Sequence, residues 1–303
     1  MGIDGKGRWR NMILKDKKKF LAFDEYGYYH FDFSDAKVLP KLTSSVFPVF
    51  LEVNKFKTVG AGLLERLKML DEEKEFDPYY KVRGAVAEMF TLQYMIEIYK
   101  EYKNIDITAL RFSPKQKNFD MFPKDTRFGG VVDIGISKPE EERAVLEVKG
   151  KSMKDYDKII TNGQVPEEEL WQGKLLAYKS QTQKLFMCYV FFDERQEAEM
   201  QRITTDILNR GLNMEDYVED KINDIIKSLS FTHNSVEIRP LKYIIEIKDV
   251  KEAMESAWEL YETLYKNQKI YKGYFSNKEQ AYLNTMLSKA QQDKLAAEED
   301  LPF

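Results

Sequence analysis

The 303-residue sequence holds one cysteine and two histidines. A single cysteine excludes a disulfide framework, a cysteine-ligated zinc site and a four-cysteine iron–sulfur cluster. His30 and His233 leave little room for a histidine-rich zinc site. Any metal must therefore be a hard cation held by oxygen. No apolar run exceeds the eight residues Leu185 to Phe192, a strand length far too short for a bilayer span. The basic N-terminus is not followed by an apolar h-region, so no signal peptide is expected. There is no evident repeat and no Pro/Gly/Ser-rich linker. What is present is 43% hydrophobic and 32% charged residues with a mean hydropathy of −0.54, enough to bury a sizeable core. The net charge of −4 and pI near 5.6 argue, taken alone, against a general nucleic-acid coat.

That average hides patches. Between Lys6 and Lys19 stand seven cationic residues and one acid, Asp16, a segment that serves either as a phosphate-touching arm or as a solvated terminus. The other end closes on Glu298, Glu299, Asp300, Leu301, Pro302 and Phe303. Asp300, Leu301, Pro302 and Phe303 resemble the acidic tip of bacterial single-stranded-DNA-binding proteins, which docks into basic pockets on repair and replication enzymes. The resemblance implies a replication or recombination protein as partner; an accidental acidic tail is the alternative.

Aromatics crowd Phe20 to Phe33 around Gly27 and predict a hairpin. Leucines from Gly62 to Leu70 predict a helix, and a second is expected from Tyr79 to Tyr102. A β-rich block follows, with strands at Ile107–Phe112, Gly129–Ile136 and Arg143–Val148. Pro166 and three glutamates open a helix that runs to Tyr178, ahead of a strand at Leu185–Phe192. Helices are expected over 194–229, then a strand over Val236–Ile247 interrupted by Pro240. The stripe Val250, Ala253, Met254, Ala257, Leu260, Tyr261, Leu264 and Tyr265 predicts an amphipathic, core-facing helix over 249–267.

Two neighbouring strands carry charges where strands seldom place them. Asp133 follows Gly129-Gly-Val-Val in an apolar run. Glu147 and Lys149 alternate with Leu146 and Val148, so the two project from one face. If the strands pair, Asp133 joins them. Two carboxylates in an apolar setting repel, and a divalent cation or Lys149 removes that penalty. Carboxylates with a backbone carbonyl hold Mg²⁺ for phosphodiester hydrolysis, and an adjacent lysine orients water or offsets developing charge. The alternative is an aspartate in a turn and an exposed Glu147–Lys149 pair on an edge.

At these residues the chain resembles the PD-(D/E)XK nuclease superfamily, in its branch of RecB-type domains and lambda-type phage exonucleases. Gly84 and Glu88 match the helix glutamate preceded by glycine. Gly130 and Asp133 match the glycine and metal-binding aspartate, Glu147 and Lys149 the E-x-K pair, and Gln172 the helix glutamine. The resemblance spans about residues 79–193. RecB-type domains carry a tyrosine four residues after the glutamine, where this chain has Leu176; Lys179, on the helical face of Gln172, is the phosphate candidate here.

The resemblance implies an α/β, restriction-endonuclease-like core with a mixed central sheet flanked by helices and a helical C-terminal region. It implies Mg²⁺, with Mn²⁺ as substitute, held by Asp133, Glu147, the Val148 carbonyl and Glu88. Catalysis falls to Glu88, Asp133, Glu147 and Lys149, and DNA contacts to Gln172, Lys179 and Arg83. The expected organisation is a lead-in with the basic arm over 1–60, one nuclease domain over 61–285, and a mobile acidic tail over 286–303. DNA exonuclease action in phage or bacterial recombination or repair follows, in the cytoplasm of a bacterium or phage-infected cell and without a membrane partner. A homo-oligomer also enters consideration, because related exonucleases encircle DNA as rings. The rivals are an endonuclease or resolvase of the same superfamily, and a non-catalytic DNA-binding or recruitment factor that uses the tip.

Overall fold

The computed structural model describes residues 12–15, 19–34, 36, 38–72, 77–103, 108–111, 120–137 and 143–286. The basic arm apart from Lys15 and Lys19, and the acidic tip with Asp300, Leu301, Pro302 and Phe303, lie outside them. In chain order the elements are β1 (Met12–Leu14), β2 (Phe20–Phe23), β3 (Tyr28–Phe31), β4 (Leu42–Thr43), α1 (Phe47–Phe50), α2 (Val59–Arg66), β5 (Leu70–Glu72), α3 (Tyr79–Lys103), β6 (Thr108–Arg111), β7 (Phe128–Gly129), β8 (Ile134–Ser137), β9 (Ala144–Ser152), α4 (Glu167–Lys179), β10 (Lys184–Phe192), α5 (Glu194–Asn209), α6 (Met214–Ser228), β11 (Glu237–Ile244), α7 (Ile247–Asn267) and β12 (Lys269–Tyr271). The described residues divide into two compact units, one of those up to 42 with 46–72 and 253–286, the other of 43–45 and those between 77 and 252. Among the described residues no helix is long and apolar enough to cross a membrane.

The larger unit is built on a mixed five-stranded sheet in the order β11-β10-β9-β8-β6. Its two nine-residue central strands, β9 and β10, run parallel from Ala144↔Lys184 to Ser152↔Phe192. The other pairings are antiparallel. Parallel neighbours need a crossover, and α4 supplies it. A central strand covered on both faces reads as a continuous apolar run, which is why Leu185–Phe192 lacks alternation. One face, with Leu146, Val148, Cys188, Val190 and Phe192, packs against Val82, Val86 and Phe90 of α3 and Met200 and Ile203 of α5. The other face meets α4 at Gly173, where a Cβ would sit 2.9 Å from Met187 Sδ and 3.0 Å from Leu185 Cδ1. Helix α5 starts on a capping box in which Asp193 and Gln196 exchange side-chain and backbone hydrogen bonds. The mixed sheet, its flanking helices and the helical C-terminal region are as the sequence led one to expect.

Three local expectations are corrected. Gly129–Ile136 is not one strand: β7 ends at Gly129, and Asp133 lies in a bend immediately before β8. Gly130 causes the break with φ +156°, where a Cβ would lie 2.9 Å from Ser44 Oγ and 3.0 Å from Leu176 Cδ2. The strand after α6 is not interrupted by Pro240, which sits within β11 opposite Cys188. β11 is a sheet edge, where a residue without an N–H is tolerated. The leucine-rich helix is α2 and stops at Arg66; Lys68 turns to φ +57°, the Met69 N–H returns to the Leu64 carbonyl at 2.8 Å, and Leu70 opens β5.

In the smaller unit the expected hairpin is β2–β3, turning at Gly27 with φ +87°. Asp24 Oδ1 accepts from the N–H groups of Tyr26 and Tyr28 at 3.0 and 2.9 Å and fixes that turn. β12 adds to the free side of β3, giving the order β12-β3-β2. The α7 stripe is core, with Val250, Met254, Ala257, Tyr261 and Leu264 buried.

Candidate active site

β9 outruns β8, whose pairing begins at Ile134↔Leu146, so the backbone beyond Leu146 has no β8 partner. Asp133 fills that gap: its Oδ2 accepts the Val148 N–H at 2.8 Å. Within one residue of an extended strand the N–H and C=O point to the same edge, so the Val148 carbonyl faces the Asp133 side as well. The period of two puts Glu147 and Lys149 on the opposite sheet face from Leu146 and Val148. Lys149 Nζ donates to Glu147 Oε1 at 2.6 Å and to Gln172 Oε1 of α4 at 3.1 Å. Asp133, Glu147, Lys149 and Gln172 are thus joined through one stretch of β9.

Glu88 approaches from α3. Arg111, the last residue of β6, donates Nε to Glu88 Oε2 at 2.6 Å. Its two terminal nitrogens fork onto Glu219 of α6 at 3.2 and 3.3 Å. Lys81 Nζ stands 3.5 Å from the same Glu219. Further along β9, Lys151 Nζ donates to Glu169 Oε1 at 2.5 Å, and the Tyr189 hydroxyl donates to Glu169 Oε2 at 3.1 Å.

Burial dominates the electrostatics. It raises the Glu147 carboxyl to about 8, with the Asp133 charge adding to the rise and Lys149 opposing it. It raises Glu88 to about 7, reinforced by Asp133 and opposed by Arg111. Asp133 is also raised by burial, against the pull of Lys149 and of the Val148 N–H. Burial disfavours the Lys149 charge, but Glu147, Asp133 and Glu169 outweigh it, and its pKa is pushed up. Lys149 is therefore a fixed cation among carboxylates that need one more positive charge.

A divalent cation fits that need. Glu147 is 1% exposed, and its Oε2 is buried with no hydrogen-bond partner among the described residues. An unpaired buried carboxylate oxygen is costly unless something fills it. No three His, Cys, Asp or Glu side chains among the described residues form a cage for a metal. Mg²⁺ does not require one, because it binds through one or two carboxylates and completes its shell with water and phosphate oxygens. Asp133, Glu147 and the Val148 carbonyl are the groups that would hold it.

A pH dependence follows. The folded protein holds the Glu147 proton more tightly than the unfolded chain does, so stability falls as pH rises from the ordinary 4.5 towards about 8 and then levels off. Glu88 acts in the same direction up to about 7. In EDTA the melting temperature should drop across that window in a thermal denaturation series. Added Mg²⁺ should raise it more above pH ~8 than near pH ~6, because the cation binds ionised carboxylates.

The other candidates are placed as follows. Arg83 packs over the Tyr79 and Tyr80 rings at 5.4 and 4.8 Å and reaches Glu197 at 3.5 Å. Gly150 lets α3 approach there, since a Cβ would meet Arg83 Cγ at 3.2 Å and Ala87 Cβ at 3.3 Å. Gly84 has no comparable steric role, for a Cβ there meets nothing within 4 Å. Lys179 does share the Gln172 face by angle, but seven residues at 1.5 Å carry it about 10 Å along the axis. There it is ion-paired with Asp125 and lies over Phe122, and so is not grouped with Lys149. His30 and His233 pair with Asp24 and Glu97 at 2.7 and 2.8 Å, outside this cluster. The sequence did not single out Arg111, Glu219, Lys151, Glu169 or Tyr189. Two of them had a signal: Lys151 continues the Glu147–Lys149 alternation, and Glu169 lies one helical turn before Gln172.

No protein-family model matches the chain, and no curated protein matches it. Among solved structures, the crystal structure of an alkaline exonuclease from Laribacter hongkongensis aligns over 77% of this chain and 93% of its own, at 13% identity and a TM-score of 0.42.

Proposed function

We propose that the chain is a metal-dependent DNA nuclease, a phosphodiester hydrolase whose most specific form is an exonuclease of phage or bacterial recombination or repair. One observation carries this reading: the partnerless, buried Glu147 Oε2 lies in a cluster with Asp133 and the Lys149–Gln172 bridge. Bound Mg²⁺ or Mn²⁺ would supply Lewis-acid stabilisation and a water of lowered pKa. Asp133 and Glu147 hold the charge that binds it, and Asp133 fixes the β9 edge through the Val148 N–H. Lys149 keeps its proton, orients the attacking water and offsets charge that develops on the phosphate. Gln172 holds Lys149 in place and presents an amide to the DNA backbone. Glu88, held by Arg111, adds a further carboxylate next to Asp133.

The test is digestion of end-labelled linear duplex beside closed circular DNA, with Mg²⁺ or EDTA and with Glu147→Ala as control. The expected result is Mg²⁺-dependent loss of linear DNA, intact circles and an inactive variant. Efficient cutting of circles would instead indicate an endonuclease or resolvase. Absence of metal-dependent cleavage would leave a non-catalytic DNA-binding factor. Equal activity of Glu147→Ala would overturn the assignment of the site.

A further inference from the structure

The sheet β12-β3-β2 of the smaller unit has an outward face of an unusual kind. Tyr29, Phe31 and Ile270 point inward and are buried. The period of two then sends Tyr28, His30, Lys269 and Tyr271 outward, with Tyr271 opposite Tyr28 and Lys269 opposite His30. A solvent-facing strand ordinarily carries small polar or charged side chains there. Here the Tyr28 and Tyr271 rings lie 5.5 Å apart, and Tyr274 follows at 6.4 Å from Tyr271. Tyr26 at the hairpin tip is 76% exposed and Tyr271 is 43% exposed. Lys269 Nζ sits 4.8 Å over the Tyr28 ring, and Lys272 packs at Gly27. The acids of the turn are Asp24 and Glu25, and Asp24 is occupied by His30 and by the N–H groups of Tyr26 and Tyr28.

We propose that this face is a stacking platform for single-stranded nucleic acid. The exposed Tyr26 and Tyr271 rings, backed by the half-buried Tyr28 and Tyr274, take bases by their π faces, and Lys269 and Lys272 attract the phosphates between them. Charge and chemistry select this partner: a cation-bearing aromatic row suits a polyanion with unstacked bases, whereas in a duplex the base faces are already covered. This role is separate from the proposed hydrolysis and does not require it.

The experiment is an anisotropy titration of the full chain with a labelled oligodeoxythymidylate in EDTA, where no hydrolysis proceeds. Tyr28→Ala with Tyr271→Ala should weaken binding about tenfold or more, while Tyr28→Phe with Tyr271→Phe keeps most of it. Lys269→Glu with Lys272→Glu should weaken binding and flatten its salt dependence. Tyr271 and Lys272 are exposed and Tyr28 and Lys269 half-buried, so an unchanged melting curve checks that each variant folds. Wild-type affinity in the double alanine variant would overturn the proposal, as would equal losses in the phenylalanine and alanine variants. Self-association that the alanine variant abolishes, with oligonucleotide binding untouched, would also overturn it and assign the face to protein. A chain that never cleaves DNA would sink the nuclease reading and leave this result standing.

Discussion

Lys149→Ala should lower Mg²⁺-supported DNA hydrolysis by about 10³-fold, the scale on which removal of one preorganised charge acts in a dry site. Lys149 is bonded to both Glu147 and Gln172, at 2.6 and 3.1 Å. Its loss strips Glu147 Oε1 of its donor when Oε2 already has none. Without metal the variant should therefore also melt lower than wild type, and Mg²⁺ should recover much of that difference, because the cation replaces the missing charge. Hydrolysis should not recover with it. Single-turnover rates at saturating DNA separate the two effects: the loss belongs in the chemical step, with the affinity measured in EDTA little changed. Lys149→Arg keeps the charge but replaces a compact ammonium with a planar fork, and is expected to restore stability more than rate. Near wild-type turnover in Lys149→Ala would remove the lysine from the mechanism.

The second large effect is on folding. Arg111→Ala should destabilise the protein by about 3–5 kcal/mol, the usual consequence of leaving buried carboxylates without their cation. The Arg111 side chain is 10% exposed and ties Glu88 of α3 to Glu219 of α6, whose own side chain is 6% exposed. Lys81, 3.5 Å from Glu219, offsets part of that loss but is not bonded to Glu88. A melting temperature lower by on the order of 10 °C is expected. Arg111→Lys should recover only a fraction, since one ammonium cannot reproduce a fork that serves two carboxylates. A variant that melts within a degree or two of wild type would show that the network contributes little.

Some of this cluster was legible before the fold was known. Glu147 and Lys149 declare a shared face by their spacing, and Lys149 does bond both Glu147 and Gln172. Arg111 and Glu219 left no such trace. They are 108 positions apart and meet because β6 is the sheet's edge and α6 packs on α3, which no local pattern encodes. Lys179 shares the Gln172 face by angle, as its spacing says, but two turns of axial rise set it beside Asp125, which the angle alone does not disclose. At Pro240 the rule that proline breaks a strand gave way because only a central strand needs every N–H. Asp133 was placed inside a strand because the apolar run hides the break that follows Gly129, and the residue instead lies in a bend just before β8.

The smaller unit draws its three-stranded sheet from both ends of the chain: β2 and β3 arise from residues 20–31, and β12 from 269–271. A ribosome delivers these pieces in the same order. Until residues 269–271 are made, one side of β3 is an unmatched edge, with backbone groups open to any strand that offers itself. The larger unit, by contrast, has every strand of its five-stranded sheet in hand once residue 244 has emerged. Synthesis therefore delivers the strands of the five-stranded sheet before the last strand of the three-stranded one. A chain stopped before residue 269 would keep the hairpin but never its third strand, so truncation there would injure a sheet whose other two strands lie more than 230 residues away.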